Sequence, residues 1–153
     1  MKKLSILAVS MLLAFNAQAE GFDASKIFFG GGLSLNDIDR GDDATGFQIF
    51  AGMPIPVSMG KAALSGEVGY MDSGNFDHGI GSAEGVWANA VVEVPVGDTV
   101  ELVGRAGFDF GDDDGLMIGG GVDLPLSGKI DLRFEYVIRD HIDSIQANVV
   151  IKL

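Results

Sequence analysis

The chain has 153 residues, with 22 acidic side chains against 10 basic ones and a formal net charge of −12. This charge disfavours contact with the phosphate backbone of nucleic acids, so a nucleic-acid partner is excluded. The absence of cysteine excludes disulfides, thiolate nucleophiles and cysteine metal sites. Because 47% of the residues are hydrophobic and 23 are glycine, we expect apolar and acidic side chains to be segregated by face and by end.

The N-terminal segment has the three parts of a secretory signal peptide. Lys2 and Lys3 precede an apolar run over residues 4–15, and Ala17-Gln18-Ala19 has the small residues of a cleavage site. The run is too short to cross about 30 Å of hydrocarbon as a helix. We therefore expect a signal peptide over residues 1–19 and one domain over residues 20–153.

Residues 130–139 show the pattern that organises the domain, because apolar or aromatic residues alternate there with mostly charged ones. Successive side chains of a strand point to opposite faces, so this pattern predicts a strand with one apolar and one ionic face. Similar alternation predicts eight strands, over residues 26–36, 47–53, 61–71, 86–94, 101–110, 117–124, 130–139 and 144–153. We expect the strands to end at Pro54-Ile55-Pro56, Pro95 and Pro125, because proline cannot donate to a ladder.

The predicted turns are of two kinds. Alternate turns contain the four prolines, whereas the turns at 36–43, 72–83, 111–115 and 140–143 are acidic. Aromatic residues of the apolar face gather towards the acidic turns, where an interfacial girdle belongs. Eight antiparallel strands of about ten residues predict an all-β, up-and-down transmembrane β-barrel, whose closure removes exposed sheet edges.

The polar face carries many of the glycines, which suits a narrow interior filled by few atoms. We therefore predict that the apolar face contacts lipid and that the lumen is polar and filled. The opposite arrangement, a soluble lipocalin-like barrel that is apolar inside, is less consistent with a glycine-rich surface.

Residues 101–108, 118–124 and 130–136 resemble the second half of OmpA-type, OmpX-type and opacity-type eight-stranded outer-membrane barrels. The resemblance covers the whole predicted domain in strand number, and its motif-like part covers strands five to eight. It implies a monomer in the outer membrane of a Gram-negative bacterium, inserted by the barrel-assembly machinery and in contact with outer-membrane lipids and lipopolysaccharide. Such patterns specify architecture better than function.

A cluster of charges is predicted across the lumen. Counted from the proline turns, Glu67, Arg105 and Glu135 lie at similar depth, and Arg133 lies two residues lower on the same face as Glu135. An unpaired charge in a confined interior costs several kcal/mol, so we expect these groups to pair. Further hydrogen bonds are expected from Gln48, Asn89, Gln146 and Asn148. The cluster is interpreted as a plug that satisfies a polar core, or as an ion gate of the kind that OmpA-type barrels are discussed as having.

The acidic turns define a second candidate region, an anionic outer rim. It comprises Asp37, Asp39, Asp42, Asp43, Asp72, Asp77, Asp112, Asp113, Asp114, Asp140 and Asp143. Grouped carboxylates can hold Mg²⁺ or Ca²⁺, shared with lipopolysaccharide phosphates. Since no calcium-loop spacing is present, we expect a solvated rim, with no assigned metal site and no cofactor.

The sequence favours a structural or surface-interaction role, with contact to lipopolysaccharide or a partner. A narrow passive channel is the alternative, and a lipid-modifying enzyme is the third possibility. We predict no enzyme, because His78 and His141 lie in loops and no nucleophile elbow or oriented base is recognisable. The segment 75–78 is a candidate contact surface, with Phe76 expected to be exposed.

Overall fold

The computed structural model describes residues 24–38, 42–76 and 81–153. The predicted signal peptide, Asp39, Asp77 and His78 lie outside these ranges. Asp42 belongs to a described strand, but its side chain is not described.

Eight strands close into a barrel. They are β1 (Phe28–Ile38), β2 (Asp42–Met59), β3 (Ala62–Asp72), β4 (Glu84–Val96), β5 (Val100–Asp109), β6 (Gly115–Ser127), β7 (Ile130–Ile138) and β8 (Ile142–Lys152). Each strand pairs antiparallel with the next, and β8 pairs with β1. The predicted eight-stranded up-and-down barrel is therefore confirmed. No helix within the described ranges is long and apolar enough to cross a membrane.

The connections divide between two ends. The β1–β2, β3–β4, β5–β6 and β7–β8 connections lie at one end, which we call the acidic end. The β2–β3, β4–β5 and β6–β7 turns lie at the other, which we call the proline end. Because Phe28 pairs with Lys152, β1 begins and β8 ends at the proline end.

The wall of the barrel is apolar outside. Along β8, Ile145 and Ile151 are 61% and 49% exposed, whereas Gln146 and Asn148 between them are at most 2% exposed. The same alternation exposes Phe29, Leu33, Ile49, Leu102, Phe108, Leu116, Phe134 and Tyr136. An apolar outer band of this kind is the lipid-facing surface of a transmembrane barrel.

The strands run past their prolines, so the predicted strand ends were wrong. β2 continues to Met59 through Pro54, which pairs with Ser65 of β3. The pairing of β2 with β1 ends at Gly52, so Pro54 lies where the strand has one neighbour and its missing N–H is not needed. The same holds for Pro95 and Pro125, which lie beyond the last pairs of β4 with β3 and of β6 with β5. At the acidic end, β1 reaches Ile38 and β2 begins at Asp42, which shortens the predicted turn at 36–43.

The lumen is less polar than predicted. Seven buried residues form an apolar cluster inside the barrel: Phe28, Phe50, Met71, Trp87, Met117, Val137 and Val150. The inward glycines make room for its rings, since a Cβ at Gly30 would lie 2.1 Å from a ring atom of Phe50, its partner on β2. Gly69 has the same relation to Trp87, at 2.4 Å. The glycine-rich face therefore reflects aromatic packing as well as a narrow interior.

Phe76 is buried, which contradicts its predicted exposure. It is 5% exposed and packs with Ala44 and Ile142. Its backbone N–H donates to Gly81 O at 3.0 Å, so the β3–β4 connection folds back on itself. Because Phe76 packs with Ala44 of β2 and Ile142 of β8, its ring is not available as a contact surface.

Candidate functional site: the lumenal ion network and the acidic end

Glu67 lies at the centre of a buried ion network. Its carboxylate on β3 accepts a hydrogen bond from Nη2 of Arg105 on β5 at 3.2 Å and another from Nη1 of Arg133 on β7 at 2.6 Å. All three side chains are at most 1% exposed. One carboxylate therefore joins strands that are not neighbours in the sheet.

Arg105 is also held by Glu135 through two parallel bonds. Its Nε lies 2.8 Å from Oε1 and its Nη2 lies 2.7 Å from Oε2 of Glu135. This is the bidentate geometry in which a guanidinium binds a carboxylate most strongly. The structure thus brings together the four charged residues that the strand positions predict, Glu67, Arg105, Arg133 and Glu135.

The network extends towards the proline end through residues that were not predicted. Arg133 also binds Glu93, and its Nε lies 3.1 Å from Oδ2 of Asp123. Lys152 pairs with Asp131. The sequence signal that could have identified these four residues is their position on the inward face in the alternating pattern of each strand. Five carboxylates here meet two guanidinium groups and one ammonium group, and Oδ1 of both Asp123 and Asp131 has no hydrogen-bond partner among the described residues.

The two guanidinium groups of the network lie against aromatic rings. The Cζ atom of Arg105 is 5.4 Å from the ring centre of Trp87, and that of Arg133 is 6.0 Å from that of Phe50. These are cation–π distances, favoured by the weak hydration of guanidinium. Since the two rings also contact each other, with centres 5.8 Å apart, the ionic and apolar parts of the lumen form one packed layer.

Three of the four predicted amides form a separate group. Nε2 of Gln48 donates to Oε1 of Gln146 at 2.7 Å and to Oδ1 of Asn148 at 2.9 Å. Asn89 does not join them, because its Nδ2 contacts the sulfur of Met117 at 3.5 Å and its Oδ1 has no partner within the described ranges.

A second polar group, also missed from the sequence, lies near the acidic end. Arg139 bonds Asp109 at 3.2 Å and Ser144 at 2.7 Å. Ser144 donates to Asn36, whose Nδ2 donates to the carbonyl of Ser73 at 2.8 Å. Burial lowers the pKa of the Arg139 guanidinium, and the neighbouring Asp109 carboxylate opposes this shift. The group ties the β3–β4 connection to β1, β5 and β8.

Outward carboxylates line up at the acidic end. Asp37 of β1 lies in register between Asp43 of β2 and Asp143 of β8. Aromatic residues border this row, and the hydroxyl of Tyr136 donates to Asp143 at 2.6 Å. A similar arrangement recurs where the hydroxyl of Tyr70 donates to Glu84. An aromatic girdle followed by carboxylates is the order expected where hydrocarbon gives way to head groups.

The other predicted rim residues differ in environment. Asp112 and Asp114 are exposed in the β5–β6 connection, whereas Asp113 between them is only 5% exposed. Asp113 accepts the backbone N–H of His141 at 2.9 Å. The rim is therefore not uniformly solvated.

A closed antiparallel barrel with an apolar exterior, an aromatic girdle and a charged, packed lumen defines a small membrane-spanning β-barrel protein. The chain belongs to the outer membrane protein β-barrel domain family, whose model matches residues 5–151.

Solved structures share this fold at low sequence identity. A de novo designed transmembrane β-barrel superposes with a TM-score of 0.58 at 16% identity, covering 86% of this chain and 98% of the designed one. Neisserial surface protein A gives 0.53 at 12% identity, with 85% and 98% covered. Ail, the attachment invasion locus protein of Yersinia pestis, gives 0.53 at 15% identity, with 82% and 93% covered. A search of curated protein sequences finds no significant match.

Proposed function

We propose that this protein is a monomeric, non-catalytic component of the outer membrane of a Gram-negative bacterium that stabilises the outer leaflet by contact with lipopolysaccharide. In this proposal the signal peptide is removed after Ala19, and the barrel-assembly machinery inserts residues 20–153. The observation that carries the proposal is the row Asp43, Asp37 and Asp143, which faces outward across three adjacent strands at the acidic end.

Carboxylates directly opposite one another destabilise a sheet. Lys61, Lys129 and Lys152 cannot compensate the row, because they lie at the proline end. Divalent cations such as Mg²⁺ and Ca²⁺ bind clustered carboxylate oxygens and accept phosphate oxygens as further ligands. The phosphates of lipopolysaccharide lie at the level of the head groups, so a cation shared between them and the row relieves the repulsion.

The environment of Phe76 supports a lipid partner over a protein partner. Its burial against Ala44 and Ile142 removes the aromatic side chain from the surface of the longest connection. The usual anchors of protein interfaces are aromatic side chains that are exposed on one protein and insert into a pocket of its partner. The lateral, lipid-facing row therefore remains the better candidate for the contact surface.

The experiment uses refolded protein in bilayers made with or without lipopolysaccharide, at millimolar Mg²⁺ or in EDTA. We expect lipopolysaccharide with Mg²⁺ to raise the thermal midpoint of unfolding of the natural protein. The triple variant Asp37→Asn, Asp43→Asn, Asp143→Asn should lose this increase, and the control Asp98→Asn, at the proline end, should keep it. An increase of equal size in the triple variant would refute the proposal.

A narrow ion passage is the second candidate function. It is favoured by the excess of carboxylates near the proline end, two of which have an oxygen without a partner among the described residues. Arg105 and Glu67 would then form the barrier, and Arg105→Ala should raise single-channel conductance in a planar bilayer. A folded barrel that shows no conductance in either form supports the first proposal and agrees with the burial of Trp87 and Phe50 inside the lumen.

We propose that the protein is not catalytic because the hydroxyl groups of two serines near the acidic end are already hydrogen-bonded. The Ser73 hydroxyl donates to Gly74 O at 3.0 Å and accepts the backbone N–H of Ala83 at 2.8 Å. The Ser144 hydroxyl is shared between Asn36 and Arg139. We expect the mass of lipid A to be unchanged when the gene is expressed, and an altered mass would establish an enzyme.

A further inference from the structure

Three side chains from two connections converge at the acidic end: Asp113 of the β5–β6 connection, and Asp140 and His141 of the β7–β8 connection. Nδ1 of His141 lies 3.0 Å from Oδ1 of Asp113 and 3.2 Å from Oδ2 of Asp140. The three potential ligand atoms all lie within 4.8 Å of one another. Tetrahedral coordination with bonds of about 2.0–2.2 Å places ligand atoms about 3.3–3.6 Å apart, close to the two distances from Nδ1.

The convergence is held by the backbone. Oδ1 of Asp113 accepts the backbone N–H of His141 at 2.9 Å, the same oxygen that the ring nitrogen approaches. The Asp113 side chain is 4% exposed, so its position is set by packing. Asp140 and His141 follow each other in the chain, so two of the three ligands come from adjacent residues of one connection.

A second observation points to a missing ligand. Oδ2 of Asp113 is buried and has no hydrogen-bond partner in the described part of the chain. Two carboxylates approach one imidazole nitrogen, which can donate a single proton. Arg139 also faces Asp113, but its Nε and Nη1 are bonded to Asp109 and Ser144, and its Nη2 has no hydrogen-bond partner among the described residues. A buried carboxylate oxygen without a partner is costly, and a bound cation would compensate this charge.

We propose that Asp113, Asp140 and His141 bind one divalent transition-metal ion of the Zn²⁺ class. One imidazole and two carboxylates are a ligand set suited to such ions, whereas Mg²⁺ and Ca²⁺ prefer oxygen alone. His141 and Asp140 are 73% and 59% exposed, so a fourth position is open to water or to an external ligand. The ion joins the β5–β6 connection to the β7–β8 connection. This site shares no residue with the carboxylate row proposed to contact lipopolysaccharide.

Calorimetric titration of the refolded protein with Zn²⁺, and separately with Mg²⁺, tests the site. We expect one saturable Zn²⁺ site per chain, with Mg²⁺ producing no heat at that site. His141→Ala should abolish Zn²⁺ binding, and Asp140→Asn should weaken it by roughly tenfold or more. The control Asp112→Asn, an exposed neighbour in the β5–β6 connection, should bind Zn²⁺ like the natural protein.

Co²⁺ provides an independent readout, because a tetrahedral Co²⁺ ion absorbs visible light far more strongly than the hydrated ion does. The absorption should appear with the natural protein and with Asp112→Asn, and be absent with His141→Ala. Equal Zn²⁺ binding in His141→Ala, or absence of binding in the natural protein, would overturn the site. Neither result affects the lipopolysaccharide proposal, since His141→Ala should keep the Mg²⁺-dependent stabilisation that the triple aspartate variant loses.

Discussion

The two faces of the barrel wall both carry carboxylates, but the surroundings of these carboxylates differ. On the inner face, Glu67 is bound by two guanidinium groups at 2.6 and 3.2 Å. On the outer face at the acidic end, Asp37 has a carboxylate on either side in register. Glu67 is compensated within the chain, whereas under the proposal above the outer row is compensated by cations from the surroundings. Changes inside should therefore alter stability, and changes outside should alter the response to ions and lipids.

The largest effect is expected from Glu67→Gln. Loss of this charge leaves two buried guanidinium groups with fewer partners, and breaking a buried ion pair costs about 3–5 kcal/mol. Urea unfolding in lipid, followed by the fluorescence of Trp87 and by heat-modifiable migration on a gel, measures the change. The outward control Asp43→Asn should not lose stability. An unfolding midpoint of Glu67→Gln equal to that of the natural protein would show that the inner network contributes little to stability. It would also remove the contrast between the two faces.

A smaller loss is expected from Gly30→Ala. The added Cβ would lie 2.1 Å from a ring atom of Phe50, and overpacking of this kind costs about 1–3 kcal/mol. The double variant Gly30→Ala, Phe50→Leu should recover part of the loss. Gly104→Ala is the matched control, because nothing lies within 4 Å of its Cβ position on the lipid face. Equal losses in the two single variants would contradict the aromatic–glycine packing.

Asn36→Ala tests the polar group near the acidic end. Asn36 is 1% exposed and bonds Ser34, Ser144 and the carbonyl of Ser73. Its removal leaves buried polar atoms without partners, at a cost of about 1–2 kcal/mol. The exposed Asn75 supplies the control, Asn75→Ala, whose unfolding midpoint should not move. Similar midpoints for the two variants would mean that the β3–β4 connection is not anchored through Asn36.

The smallest effect has the opposite sign. Asp43→Asn relieves the repulsion with Asp37, so stability should rise by about 0.5 kcal/mol in EDTA at low ionic strength. The gain should vanish at millimolar Mg²⁺, because the cation already compensates the natural row. Thermal unfolding with and without Mg²⁺ measures the difference, with Asp98→Asn as the control. A gain that persists in Mg²⁺ would argue against cation binding by the row.

The fold could be predicted because alternation along each strand follows directly from lipid outside and a narrow lumen inside. The strand ends could not be predicted, because proline is tolerated wherever a strand has lost one neighbour, as at Pro54. Where a strand loses its neighbour depends on the length of the adjacent strand. The same alternation placed Phe50 and Trp87 on the inner face. Their packing against Gly30 and Gly69 follows from the cross-strand register, which the sequence does not state.

The candidate sites were predictable to different degrees. Equal spacing from the proline turns placed Glu67, Arg105 and Glu135 at one depth. The contacts of Arg133 with Glu93 and Asp123 depend on how far a long side chain reaches along the barrel. The approach of Asp113 to His141 joins two connections that are distant in sequence, and the conformation of such loops has no periodic signal.

The placement of the ion network has a consequence for assembly. Glu67, Arg105 and Glu135 lie on β3, β5 and β7, and the bonded pairs are separated by 30 to 66 residues. No hairpin of adjacent strands contains any of these bonds, so they form only when the sheet has curled far enough to bring alternate strands across the lumen. Until then, the Arg105 guanidinium would enter hydrocarbon without its counter-ions, which is costly, whereas Arg133 already has Asp123 on the adjacent strand β6. Insertion should therefore proceed with the strands already gathered into a nearly closed cylinder, and not one hairpin at a time.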